Sequence, residues 1–299
     1  MNPSVTVRVP AKVNVQLAVG AARPDGFHDL ANVFLAVGLY DEVTVTPADT
    51  LRVTCSGPDA GQVPLDTTNL AARAATALAA RHGIAPDVHL HIAKDIPVAG
   101  GMAGGSADGA AALLACDALW ATGATREELL EICAELGSDV PFSLTGGAAL
   151  GVGRGERLTP VEVGGGFHWV FAVADGGLST PAVYGEFDRL TAGTRVPEPT
   201  TSPALLTALR KGDTTALAGA LSNDLQAAAL SLRPSLADTL AAGTAAGALA
   251  ALVSGSGPTT AFLTADEESA RKVADALLSS GTCREARVAT SPAAGATVV

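Results

Sequence analysis

The sequence predicts an α+β fold, and three observations carry that expectation. Alternating apolar residues mark strands at Val5, Val7 and Val9, at Val43 and Val45, and at Val88, Leu90 and Ile92. Apolar residues at helical spacing, preceded by capping residues, mark helices between and after these strands. The two kinds of segment do not alternate regularly enough for a doubly wound parallel sheet. With 299 residues, 48% of them apolar, the chain can bury a sizeable core in one large domain or two ordinary ones.

After the first strands, a helix is expected from about Asn69 to His82, with Thr67, Thr68 or Asn69 as cap and Gly83 as its stop. The strand at Val88 to Ile92 runs into "PVAGGMAGGSADGAAALLA", residues 97 to 115, in which a helix begins near Ser106. Thr125-Arg-Glu-Glu128 fits a capping box, and Leu129, Ile132, Cys133 and Leu136 follow at helical spacing until Gly137. Glycine-rich "GGAALGVGRGE" and "VGGGFHW" place a domain boundary around 150 to 165, and "TRVPEPTTSPA" reads as a loop near residue 200. The second half repeats the mixture. A strand at Trp169 to Ala174 precedes helices near 203 to 210, 214 to 230 and 235 to 249, then "LVSGSGPTTAFL" and a final helix from about Glu267 to Ser279.

Composition narrows the function classes. A net charge of -11 sets up a field that repels phosphates, which argues against a nucleic-acid or anionic-membrane partner. Any anionic ligand must then be held by local donors. Cys55, Cys116, Cys133 and Cys283 are scattered without a C-x-x-C pair, so reduced thiols are expected rather than a disulfide framework or zinc site. The N-terminus has no apolar signal region, and no apolar run reaches the ~18 residues that span a bilayer. A cytoplasmic location is expected. His89 and His91 share one strand face, but no third ligand accompanies them, so they read as a solvated face and no protein metal site is assigned.

A loop as bare as residues 97 to 106 loses much conformational entropy on folding, so its amides are expected to be closely approached. It fits neither familiar phosphate pattern. Gly100 and Gly105 have the spacing of G-x-x-x-x-G-K-[ST], but Ser106 stands where lysine should. G-x-G-x-x-G fails because no glycine in Gly100 to Gly105 has partners both two and five positions on, which weakens a nicotinamide-dependent oxidoreductase. What remains is a strand, a loop of unobstructed amides and a helix N-terminus, an arrangement that binds anions, phosphate above all. Ser106 fits either a phosphate contact or an N-cap, and the roles coexist.

"PVAGGMAGGSADGAA" resembles the second motif of the GHMP small-molecule kinases, and "LVSGSGPTTAFL" resembles their third, C-terminal glycine motif. Residues 9 to 43 and 135 to 158, with "PAK-N", "RPDGFH" and "GSDVPF" in that order, are similar to the branch of that superfamily acting on 4-diphosphocytidyl-2-C-methyl-D-erythritol. The resemblance covers nearly the whole chain. It implies a two-domain α+β fold: an N-terminal ATP-binding domain over 1–158 with a ribosomal-protein-S5-like fold, and a C-terminal ferredoxin-like substrate domain over 159–299. It implies ATP and Mg²⁺ as cofactors, a small-molecule acceptor that is a cytidine diphosphate sugar alcohol, and a monomer or weak homodimer. The implied reaction is ATP-dependent phosphorylation of that acceptor's 2-hydroxyl in the non-mevalonate isoprenoid route. Another GHMP kinase, acting on homoserine, mevalonate or a sugar, is the nearest alternative, and a nucleotide-binding protein without catalysis is the alternative from another class.

The same resemblance assigns residues. Asp139 in "GSDVP" matches the catalytic aspartate that accepts or orients the hydroxyl proton; on its own it reads equally as a turn aspartate. Lys12 in "PAKVN" matches the catalytic lysine, which alone would read as a solvated strand-end charge. A pure binder needs neither. Asn14, on the same face of an extended segment, is the expected substrate-hydroxyl contact. His28 matches the residue that reads the cytosine edge, a task for which neutral imidazole offers one donor and one acceptor. Phe27 stands where tyrosine is common, so it keeps a stacking face without a phenolic hydrogen bond, and Tyr184 in "STPAVYGEF" is the second aromatic wall. Pro97, Val98, Ala99, Gly100, Gly101, Met102, Ala103, Gly104, Gly105, Ser106 and Ala107 are expected to wrap the ATP phosphates, with Gly101, Gly104, Gly105 and Ser106 nearest. Ala99 and Ala103 stand where glycine is frequent, so negative φ is expected at both. Lys94 and Asp108, close by, are assigned no role.

Overall fold

The computed structural model describes residues 3–299. In chain order the elements are β1 (Val5–Ala22), β2 (His28–Pro47), β3 (Arg52–Ser56), α1 (Leu70–His82), β4 (Val88–Ala93), α2 (Gly104–Trp120), α3 (Arg126–Leu136), α4 (Val140–Thr145), β5 (Ala148–Gly153) and β6 (Arg157–Pro160). They continue with β7 (Phe167–Val173), α5 (Thr180–Thr191), α6 (Pro203–Lys211), α7 (Thr214–Ala218), β8 (Ser222–Asn223), α8 (Gln226–Leu232) and α9 (Leu236–Ala245). The chain ends with β9 (Ala250–Val253), β10 (Thr260–Thr264), α10 (Glu267–Ser280), β11 (Glu285–Ser291) and β12 (Thr297–Val298).

β1 and β2 form a long antiparallel hairpin, with Val5 opposite Val45 and Ala22 opposite His28. Val7, Val9, Ala11, Val13 and Val15 are buried on one face of β1, and Lys12, Asn14 and Gln16 are buried on the other. β1 therefore sits inside the sheet, and its second face is covered by polar groups that must find partners. The sheet runs β12-β1-β2-β4-β3, with β5 on β2, β6 on β5 and β8 on β1. A second, antiparallel sheet runs β11-β7-β10-β9.

Helices α1 and α3 follow their sequence signals. Asn69 caps α1 by accepting the Ala71 N–H, and Gly83 ends it in the left-handed conformation. Thr125 accepts from Glu128 N–H to start α3, while the Glu128 carboxylate lies 3.1 Å from His82 Nε2 instead of closing a capping box. α2 is Ala- and Gly-rich and buried through most of its length, as a helix enclosed by the core should be. Its small residues let α1 approach, since a Cβ on Gly109 would lie 3.2 Å from Leu70 Cβ. Trp169, fully buried in β7, satisfies its indole N–H on Ser291 Oγ at 3.0 Å.

Four element expectations change. α2 begins at Gly104 with Ala103 as N-cap and no side-chain cap, so Ser106 lies inside the first turn instead of opening the helix. The single helix expected over 214 to 230 is α7, β8 and α8. Asn223 pairs in β8 with β1 and donates from Nδ2 to the carbonyls of Val253 and Gly255 at 2.8 and 2.7 Å, contacts worth more than continuing a helix. The helix expected to reach 249 stops at Ala245, followed by Gly247 at φ 102°. Glycine-rich residues 148 to 153, read as punctuation, form β5 against β2.

Arg284 and Arg287, at the head of β11, tie the second sheet to the segments flanking the glycine loop. Arg284 donates to both Asp59 oxygens at 2.9 and 3.0 Å, and Arg287 to both Asp95 oxygens at 3.0 and 2.5 Å.

Candidate active site

A cavity of about 950 Å³ opens between β1, the glycine loop, Asp139 and α5. Lys12 reaches it from β1 with only 5% of its surface exposed. Its Nζ donates to Asn14 Oδ1 at 2.6 Å and to Gly101 O at 2.9 Å, and lies 3.5 Å from Asp139 Oδ2. Burial pulls the Lys12 pKa below the ordinary lysine value, and Asp139 opposes that pull. Asn14 in turn donates from Nδ2 to Asn32 Oδ1 at 2.7 Å. Asn14 is thus a link that positions Lys12 as well as a lining group. Asn32, which sequence reasoning missed, completes the chain; its signal was a lone asparagine in the apolar run of β2.

Asp139 is the residue before α4, yet its side chain makes no cap hydrogen bond. The carboxylate is directed to Lys12 while its backbone carbonyl accepts from Ser143, so the local-turn alternative does not hold.

His28 is 6% exposed and its Nε2 lies 2.8 Å from Asp188 Oδ1. The Tyr184 ring stands 4.9 Å from it, tilted by 36°, and burial pushes the Tyr184 phenol up, with Asp139 adding to it. Phe27 is 47% exposed, with the Arg154 guanidinium 5.1 Å over its ring centroid. Asp188 and Arg154 were not foreseen as lining residues.

Ala99, Gly100, Gly101, Ala103, Gly104, Gly105 and Ser106 line the cavity. Met102 and Ala107 are fully buried in the core, and Pro97 and Val98 line a small neighbouring depression with Asp59 and Arg284. Ala99 has φ 52° and Ala103 φ 61°, so the expectation of negative φ at these alanines is overturned. Each holds a left-handed conformation that costs an L-residue roughly 1–2 kcal/mol.

Most of the glycines answer to other protein atoms. A Cβ on Gly101, at φ 77°, would lie 2.0 Å from Ser254 O, and one on Gly100 2.8 Å from Thr259 Oγ1. One on Gly104 would lie 2.8 Å from Lys94 Nζ. Gly255 packs back against the same place, where a Cβ would fall 3.2 Å from Lys12 Nζ. Gly105 differs, with nothing nearer than Leu70 Cδ1 at 3.9 Å.

Beneath this loop lies a buried triad. Lys94 Nζ donates to Asp41 Oδ2 at 2.5 Å and Asp108 Oδ2 at 2.8 Å, and Asp41 Oδ1 accepts the N–H groups of Asp95 and Ile96. Burial opposes the charge on Lys94, but Asp108 and Asp41 outweigh it and hold its pKa above the ordinary value. Burial pushes Asp108 up to about 7, against the pull of Lys94 and with Asp41 adding to the rise. His89 and His91 hydrogen-bond Thr54, and His91 also Ser56. Among the described residues no group of three or more His, Cys, Asp or Glu is placed to hold a metal.

The GHMP kinases N terminal domain matches residues 69–147, and the GHMP kinases C terminal domain matches residues 205–282. The 4-diphosphocytidyl-2-C-methyl-D-erythritol kinase of Streptomyces avermitilis is 82% identical over 296 residues, 99% of this chain and 100% of its own. This chain belongs to the 4-diphosphocytidyl-2-C-methyl-D-erythritol kinases. The kinase of that name from Thermobifida fusca is 60% identical, covering 99% of this chain and 98% of its own. A crystal structure of a 4-(cytidine 5'-diphospho)-2C-methyl-D-erythritol kinase superposes with a TM-score of 0.76 at 31% identity, over 96% of this chain and 99% of its own. A homoserine kinase from Cytophaga hutchinsonii reaches the same TM-score at 20% identity and shares the fold. The family thus carries the GHMP kinase fold and small-molecule kinase chemistry that the glycine motifs imply.

Proposed function

We propose that the chain transfers the γ-phosphoryl group of ATP to the 2-hydroxyl of 4-diphosphocytidyl-2-C-methyl-D-erythritol, in isoprenoid precursor synthesis. One observation carries the assignment of roles: Lys12 and Asp139 meet at 3.5 Å in a cavity that also holds the glycine loop and the His28–Tyr184 cleft.

Phosphoryl transfer through a loose transition state asks the protein mainly to position groups and stabilise charge. Asp139 is partly exposed and makes no local cap, so it is free to accept the hydroxyl proton as general base. Lys12 stands between Asp139 and the Gly101 carbonyl, where an ammonium stabilises charge developing on the transferred group. Gly104, Gly105 and Ser106 open α2, a 17-residue helix whose first turn lines the cavity; its unpaired N–H groups hold the phosphates. The open space over Gly105 fits that role. Mg²⁺ would neutralise phosphate charge, with the nucleotide supplying most of its ligands, since among the described residues Asp139 and Asp188 are the only carboxylates lining the cavity. His28 and Tyr184 form the nucleobase cleft.

The same reading takes residues 1–158 and 159–299 as the nucleotide and acceptor units, each built around one of the two sheets, with β8 and β12 returning to the first. It also takes a cytoplasmic monomer or weak homodimer with no nucleic-acid or membrane partner. No helix among the described residues is long and apolar enough to cross a membrane. The test is Asp139→Asn, which is expected to abolish ATP-dependent phosphorylation of the cytidyl acceptor while nucleotide binding persists. Near-normal turnover sinks the role given to Asp139, and higher kcat/KM on homoserine or mevalonate sinks the acceptor.

A further inference from the structure

The motif "GVGRGE" contributes one side chain that the reaction as described does not use. Arg154 sits between Gly153 at φ 75° and Gly155 at φ 104°, in the turn after β5. Gly153 is paired with Leu30 of β2, two residues beyond His28. The turn therefore delivers Arg154 to the nucleobase end of the cavity, where its guanidinium lies 5.1 Å over the Phe27 ring.

The cavity is short of cations. Among the described residues, Lys12, His28 and Arg154 are the basic residues of its lining. Lys12 is committed to Asn14, Gly101 and Asp139, and His28 to Asp188. Arg23, in the adjoining turn, is held by Asp25 and Asp29. Among the described residues the Arg154 side chain has only Glu156 as an ionic partner, whose nearest carboxylate oxygen is 3.9 Å from Nε and is already accepting the Arg154 backbone N–H at 2.8 Å. Its fork of N–H donors is thus available, and a guanidinium resting on an aromatic face keeps those donors for an anion.

We propose that Arg154 is the acceptor-side anion contact: it binds the diphosphate of the acceptor, with Phe27 as its rest, and so sets the preference for a nucleoside diphosphate over a nucleoside. This rests on the acceptor assigned above. In a chain of net charge -11, a diphosphate entering beside Asp188 and Asp139 needs such a contact to overcome the surrounding field. It also gives Phe27 a task different from base stacking, since one face of its ring is already covered.

Titration of the full-length protein with CDP and with cytidine separates the possibilities. The wild type is expected to bind CDP at least about tenfold more tightly than cytidine, as a charge-assisted contact implies. Arg154→Ala and Arg154→Gln are expected to shrink that preference to within about threefold while the affinity for cytidine and the KM for ATP stay nearly unchanged. Arg154→Lys is expected to recover part of it, because a point charge replaces the bidentate fork. A variant that loses CDP and cytidine affinity equally overturns the proposal, because Arg154 then only props Phe27. Undiminished CDP affinity overturns it too. A wild type that binds neither compound while phosphorylating another alcohol overturns the acceptor assignment itself, whatever Arg154 does.

Discussion

Gly101 and Gly105 sit four residues apart in one glycine-rich segment, the first in the loop and the second in the first turn of α2, and the structure gives them opposite reasons to lack a side chain. At Gly101→Ala two costs add. A left-handed φ of 77° costs an alanine roughly 1–2 kcal/mol. The new methyl would also fall 2.0 Å from Ser254 O, so the 254–259 segment must move by about an ångström. That displacement strains or breaks Ser254 Oγ to Gly101 O at 3.1 Å, Thr259 N to Gly100 O at 3.3 Å and Lys12 Nζ to Gly101 O at 2.9 Å, each worth about 1 kcal/mol. The sum is about 4–5 kcal/mol, a large part of the ~5–15 kcal/mol that holds an ordinary domain together.

Gly105→Ala meets only Leu70 Cδ1 at 3.9 Å, in a helical first turn where alanine is favoured over glycine by about 1 kcal/mol. Its expected defect is functional, because the methyl projects where phosphates would approach the α2 amides. Urea unfolding of both variants, read beside the KM for ATP, checks the contrast. Gly101→Ala should lower the midpoint strongly; Gly105→Ala should leave it level or raised while the KM for ATP rises about tenfold or more. Equal stability of the two variants would refute the reasoning, as would an unfolded Gly105→Ala.

Asp108 and Ala103 carry two further expectations. The Asp108 pKa is raised from the ordinary carboxylate value to about 7, so the folded state binds the extra proton. Its contribution is present below about pH 4 and is lost as pH rises through 7. The stability of the wild type minus that of Asp108→Asn should therefore fall between pH 4 and 7, by up to about 1.4 kcal/mol per pH unit; a difference that rises over this window contradicts the assignment. At Ala103, φ 61° means that Ala103→Gly removes strain of about 1 kcal/mol against an unfolded-state entropy cost of about 0.4–1 kcal/mol. Thermal unfolding should show no loss, and a drop of several degrees would mean that the Ala103 methyl makes contacts that outweigh the strain.

How far the sequence could be read depended on whether a signal was local. Asn69 and Gly83 bracket α1, and Thr125 opens α3, because caps and stops act within one turn. The 214–230 segment misled because Asn223 is decided by carbonyls thirty residues later, and no helical periodicity reports that. The positive φ of Ala99 and Ala103 was invisible for a similar reason: the loop is pinned from outside, by the 254–259 segment and by Arg284 through Asp59, whose Oδ2 also accepts the Val98 N–H at 3.4 Å. The motifs pointed to Lys12, Asn14 and His28 as cavity residues, but Asn32, which accepts from Asn14, and Asp188, which pairs with His28, lie on other elements and became visible only with the fold.

The triad under the loop bears on how phosphates are held without a lysine of the Walker kind. Lys94 is the cation nearest in sequence to the glycines, yet a Cβ on Gly104 would strike its Nζ at 2.8 Å, so it lies under the helix end and points inward to Asp41 and Asp108. Were both carboxylates ionised, the triad would place a net negative charge within the first turns of α2, weakening the positive end of the helix where an anion is to bind. With Asp108 raised to about 7, the triad approaches neutrality as pH falls through that value, and the field at the α2 N-terminus recovers. Lys94 and Asp41 are then a buried, satisfied pair that anchors the loop through the Asp95 and Ile96 amides, and in the proposed mechanism the charge facing the transferred group is left to Lys12. If so, the KM for ATP of Asp108→Asn should lose the dependence on pH around 7 that the wild type shows. A wild-type KM that is flat across this range, or a variant that keeps the same profile, would show that the field of the triad does not reach the phosphates.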